Sequence, residues 1–123
     1  MRTFFIFLTL IISLSSFSQE IPTKKVQTLI NHEITAIKES NLKNFVSLGT
    51  DEFKKLEKKN FNSVTKQLAP LLQEKYQLQY LTSLKTGSFI KHIGKLSFDK
   101  ENDDNLVSMV LNSNNEIAGF WIR

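Results

Sequence analysis

The two histidines are the side chains of this 123-residue chain whose ordinary pKa lies close to neutrality, so they are the first candidates for chemistry. His92 sits in FIKHIGKLSF, on the opposite strand parity from Phe89 and Ile93. If that face lines a cavity, His92 can act as a general base. No Asp or Glu stands beside it along the strand to orient the ring, and a histidine held in the core or at the surface is the competing reading. His32 lies off the Val26, Leu29 and Ile30 stripe of its helix and reads as a surface residue.

Carboxylates gather in DKENDD, residues 99–104. Their alternation resembles a calcium loop, but the glycine needed at its sixth position is missing and Val110 stands where a bidentate Glu is required. We therefore read a solvated hairpin loop. The chain has no nucleophile elbow of the G-x-S-x-G type, no H-E-x-x-H and no glycine-rich phosphate loop. No metal and no cofactor is expected.

Aromatic residues concentrate in the C-terminal third: Tyr80, Phe98, Phe120 and Trp121. Phe120 and Trp121 are adjacent, so on one regular strand they point to opposite faces. Phe120 shares its parity with Ala118 and Ile122, a set bulky enough to pack on helices. Trp121 shares its parity with Ile117 and Gly119, and the gap at Gly119 beside a large ring suits a docking group. Trp121 is expected on the face away from the helices, where it contacts a second subunit or a ligand. Tyr80, His92 and Trp121 are the candidate contact residues.

These residues need elements to hold them. Val26, Leu29, Ile30, Ile34 and Ile37 recur at steps of three and four, which predicts a helix over 23–39 with Thr23 as N-cap. Ser40 and Asn41 stop it. Leu42, Phe45, Val46 and Leu48 continue as a short second helix or turn closed by Gly49. Thr50–Glu52 resemble a cap, with Phe53 and Leu56 making a small apolar face on residues 51–59. Phe61, Val64, Leu68, Leu71, Leu72 and Tyr76 predict a helix over 61–76, kinked or divided at Pro70.

From Gln77 the period changes to two. Strands are expected from there to the turn at Lys85–Gly87, and again across Phe89–Phe98. In the second of these the apolar parity switches at Gly94–Lys95, as a β-bulge would make it do. Leu106–Leu111 and Ile117–Ile122 form two more strands around a Ser113–Asn115 turn. Helices first, then four strands joined by short turns, predict an α+β domain. Its N-terminal helices pack on one face of a curved four-stranded antiparallel sheet.

The opening residues carry an address. Arg2 precedes eleven mainly apolar residues, Phe4–Leu14, and Ser16 and Ser18 supply a small-x-small cleavage site. Eleven helical residues reach about 16 Å, half of a ~30 Å hydrocarbon core, so the segment reads as a signal peptide over residues 1–18 rather than an anchor. The protein is then exported, periplasmic or secreted, with no stable membrane insertion after cleavage. Removing residues 1–18 of 123 leaves 105, a single domain over 19–123. The whole chain lacks Cys, so packing rather than disulfides must hold the fold. Net charge falls from +4 to +3 with the loss of Arg2. The pairs Lys54–Lys55 and Lys58–Lys59 are interleaved with Asp51, Glu52 and Glu57, a pattern of a solvated helix face, and nucleic acid is not an expected partner.

Gly87, the Leu96-Ser97-Phe98 strand and the closing Asn112…Glu116-Ile117-Ala118-Gly119-Phe120 carry a family resemblance. Across residues 42–123 the chain resembles small exported domains of the NTF2-like (cystatin-like) superfamily, in particular its DUF3887-type branch. The resemblance implies a curved sheet wrapped around helices with a conical cavity. In catalytic members of that superfamily, such as ketosteroid isomerases and polyketide cyclases, acid and base residues protrude into the cavity. No matching Tyr/Asp pair can be placed in this chain.

The sequence thus supports an exported, non-enzymatic domain that binds a small apolar ligand or a protein partner, including a second copy of itself, through its sheet or cavity. A small isomerase- or cyclase-type cavity enzyme with His92 as base is the alternative. A purely structural accessory of the cell envelope is a third reading.

Overall fold

The computed structural model describes residues 21–100 and 103–123. The expected signal peptide, residues 1–18, lies outside them. Among the described residues no helix is long and apolar enough to cross a membrane.

Helix α1 spans Thr23–Lys38. Val26, Ile30, Ile34 and Ile37 are buried along one stripe, as their spacing requires. Thr23 is not the N-cap. That place belongs to Pro22, whose carbonyl accepts the Lys25 and Val26 amides at 3.0 and 3.2 Å. Ser40, at φ 52°, turns the chain out of the helix. Asn41 then caps α2, Leu42–Val46, by accepting the Asn44 amide on Oδ1 at 3.0 Å.

The helix expected over 51–59 shrinks to one 3-10 turn, Phe53–Lys55, whose Phe53 amide bonds Thr50 Oγ1. Two apolar residues bury too little to carry a longer helix. Helix α3 runs Lys58–Leu72 as one element that contains Pro70, not two abutting helices. It begins before Phe61 and ends before Tyr76. Tyr76 instead opens the sheet, paired with Phe98, and its hydroxyl donates to Asn31 Oδ1 on α1 at 2.9 Å.

The strands are β1 (Tyr76–Thr86), β2 (Phe89–Phe98), β3 (Asn105–Leu111) and β4 (Ile117–Ile122), an antiparallel meander in the order β1-β2-β3-β4. Helices cover one face, and α1 packs on α2, α3 and β1. The α+β architecture expected from the element order is the one observed. A single core joins the α1 stripe, Phe45 and Phe61 to Leu96, Phe98, Val107, Met109, Leu111 and Ile117.

Two bulges set which side chains face that core, and neither lies where the sequence placed one. In β2 the alternation is unbroken: His92, Gly94, Leu96 and Phe98 all point inward. Phe89 and Ile93 are apolar residues of the open face, and two apolar faces in succession imitate a phase slip. The extra residue lies across from Gly94, in β1, where Leu81 falls between the pairs Tyr80–Gly94 and Thr82–Ile93. A second bulge at Ala118 separates Val110–Gly119 from Leu111–Ile117. Ile117 is consequently buried on the same side as Phe120, not grouped with Trp121 as strict alternation implies.

Candidate functional site

Two regions of the inner side and one of the open face hold the chemically distinctive residues. On the inner face, β1 and β2 bring Tyr80 and His92 together. The half-buried Tyr80 hydroxyl and the buried His92 Nδ1 share a 2.9 Å hydrogen bond, and their rings lie 5.8 Å apart. The Leu81 bulge makes this pairing, because it keeps Tyr80 inward opposite Gly94 while Ser83 takes the place across from His92. The phenol thus orients the imidazole through Nδ1.

Glu33 was not singled out by the sequence reading. It lies on α1 one turn from Ile30 and Ile37, and it is fully buried. Neither carboxylate oxygen has a hydrogen-bond partner among the described residues. Burial without a cation pushes its pKa from 4.5 to about 8. The signal was available: an acid three residues after Ile30 and four before Ile37 falls inside the apolar stripe. Burial also raises the Tyr76 phenol. His32 is half-buried and does structural work, its Nε2 meeting the Asn44 carbonyl at 2.9 Å and so tying α1 to α2.

The second inner region is an apolar groove of about 560 Å³ beside β4. Phe45 of α2, Phe53 and Leu56 at the 3-10 turn, and Phe61, Val64 and Leu68 of α3 form its wall. Residues 118–122 of β4 form its other side. Phe45 stands at the centre, with ring centroids 5.3 Å from Phe53, 5.1 Å from Phe61 and 6.0 Å from Phe120. Among the described residues Gln67 is the sole polar side chain of the lining, and no titratable group belongs to it. Such a surface can hold apolar matter but offers nothing to move a proton.

Trp121 stands on the open face, as expected, and is 39% exposed. Its ring folds back over Gly119, where a Cβ would come within 2.7 Å of it, and Lys91 Nζ lies 5.5 Å from the ring centroid. Both the strand below and the ammonium above therefore hold the ring in place. The proposed contact set is divided: Tyr80 and His92 share the inner face, while Trp121 is on the other side of the sheet. The acidic residues expected in the 99–104 loop are solvent-facing where described, and Asp104 meets Lys95 at 3.9 Å. No group of His, Cys, Asp and Glu able to hold a metal ion occurs among the described residues.

The chain matches no protein-family model and none of the curated proteins with which it was compared.

Proposed function

We propose that this protein is a binding domain whose groove between the 3-10 turn, α3 and β4 receives a neutral, apolar small molecule or the apolar part of a larger one. The observation that carries this reading is the lining. Twelve of the thirteen residues around about 560 Å³ are apolar, and they come from every helical element and from β4. Ligand pockets fall in the range of roughly 300–1,000 Å³ and are lined mostly by apolar and aromatic side chains. The resemblance to NTF2-like domains, whose sheets and helices enclose a cavity, points the same way. Export through the residue 1–18 signal would place this binding outside the cytoplasm.

Val64 tests the proposal, because it lines the groove yet is 42% exposed, so a larger side chain there fills the space without overpacking the core. Anilinonaphthalene sulfonate is expected to bind the wild-type protein with enhanced emission. Val64→Trp should abolish that binding at unchanged melting temperature. Undiminished binding in the variant would place the apolar site elsewhere and overturn the reading.

A further inference from the structure

The groove is lined by residues of both parities of β4, Gly119 and Trp121 as well as Phe120 and Ile122. It therefore passes from the inner side around the edge of that strand to the ring of Trp121. β4 ends the sheet. Leu106 and Arg123 exchange both amide–carbonyl bonds, at 3.1 and 2.9 Å. Antiparallel pairs alternate, so Trp121, opposite Ser108, also turns its backbone toward β3. Phe120 and Ile122 then turn their amides and carbonyls away from the sheet, at the edge the groove follows.

Two properties of these surroundings limit what can lie there. A wholly apolar occupant pressed against this edge would strip water from the Phe120 and Ile122 backbone groups and return no hydrogen bond, which costs free energy. An occupant with a polar end lessens that cost. The second property is charge. Lys91 reaches from β2 across the open face until its Nζ stands 5.5 Å from the centroid of the Trp121 ring, and that residue also borders the groove. The four strands contain no Asp or Glu. Lys95, further along β2, is met by Asp104 at 3.9 Å, whereas Lys91 forms no ion pair among the described residues. A cation whose charge no described side chain answers thus stands beside one wall of an apolar groove, and its complement is an anion. Length narrows the choice further. The lining follows β4 from Ala118 to Ile122, about 13 Å at the rise of a strand. An extended alkyl chain of roughly ten carbons spans that distance.

Building on the reading of the groove as an apolar-ligand site, we propose that its ligand is a single-chain amphiphile with an anionic head, an alkyl carboxylate. The tail lies along β4 against Phe45 and Phe61. The chain passes over the strand edge at Trp121, and the carboxylate meets Lys91 Nζ on the open face. Trp121 then separates the dry part of the site from the wet part, and Lys91 selects the head group.

Dodecanoate and dodecanol, titrated below the concentrations at which they aggregate, share a tail and differ in charge. Both are expected to displace anilinonaphthalene sulfonate, with dodecanoate about tenfold tighter. Trp121 is the sole tryptophan, so its emission should shift as either probe binds. Lys91→Gln should bring dodecanoate down to the affinity of dodecanol, while Lys91→Arg and Lys95→Gln keep the preference. Because Lys91 also steadies the ring, dodecanol is the control, and its affinity should stay level in Lys91→Gln. Added salt should weaken dodecanoate and spare dodecanol, a reading that needs no variant. Equal affinity for the two probes, or a preference that survives Lys91→Gln or falls equally with Lys95→Gln, would overturn the anionic head and leave the apolar groove standing. If neither probe binds, the proposal falls, and Val64→Trp decides the groove reading by itself.

Discussion

Glu33 is the residue most at odds with its surroundings. A carboxyl group with no exposed surface and no hydrogen-bond partner among the described residues is tolerable only while neutral. Burial raises its pKa from the ordinary 4.5 to about 8, so the folded state holds the proton more tightly. Stability is then fully present below pH 4.5 and is lost as pH rises through about 8, the reverse of a salt-bridged acid. The loss on the alkaline side should be on the order of a few kcal/mol. Urea midpoints measured at about pH 5 and about pH 9 should fall for the wild type and stay level for Glu33→Gln. Parallel profiles for the two proteins would mean that water reaches the carboxylate.

At the scale of elements, Phe98 on β2 and Leu111 on β3 both point into the core, at 4% and 1% exposure. Replacing either by Ala should cost roughly 2–5 kcal/mol through lost burial and the cavity left behind. Chemical denaturation of Phe98→Ala and Leu111→Ala checks this, and losses below about 1 kcal/mol for both would contradict the inward assignment. These positions were legible from alternation alone, as was the α1 stripe from its period. What could not be read were the places where tertiary pairing overrides local pattern. The apolar residues of β2 belong to two faces and resemble a slip, while the true extra residue is in β1, where Leu81 is as apolar as its neighbours. Tyr76 satisfies helical and strand periods equally, and its pairing with Phe98 decides between them. Of the site, Trp121 on the open face was legible and the Tyr80–His92 pairing was half so. The groove was not, since it exists only where α3, the 3-10 turn and β4 meet.

For the whole molecule, Phe45 is the junction. One ring from a five-residue helix touches the 3-10 turn, α3 and β4 at once. Phe45→Ala should cost about 3–5 kcal/mol, and because the lost volume borders the groove, the remaining apolar space should widen. Thermal melting reads the first effect, and weaker selectivity among apolar probes of different size reads the second. An unchanged melting temperature would show that the helical layer and β4 are held together elsewhere.

The bridge between Gly49 and Ile117 ties the segment after α2 to the start of β4. That tie has a consequence for the order of events as the chain folds. The four strands can zip by successive hairpins, each a local step. The apolar stripe of α1 packs on α2, α3 and β1, but the core it belongs to is complete only with residues of β2, β3 and β4, far along the chain. Contacts so distant in sequence are slow to form, because the loop must close before they repay it. Refolding should therefore be biphasic, with a fast rise of hairpin signal and a slower docking of helices that is lost when the chain is cut after Asn112. Core residues that await β4 stay exposed in the first phase, so a chaperone that shields such surfaces should slow the second phase and spare the first.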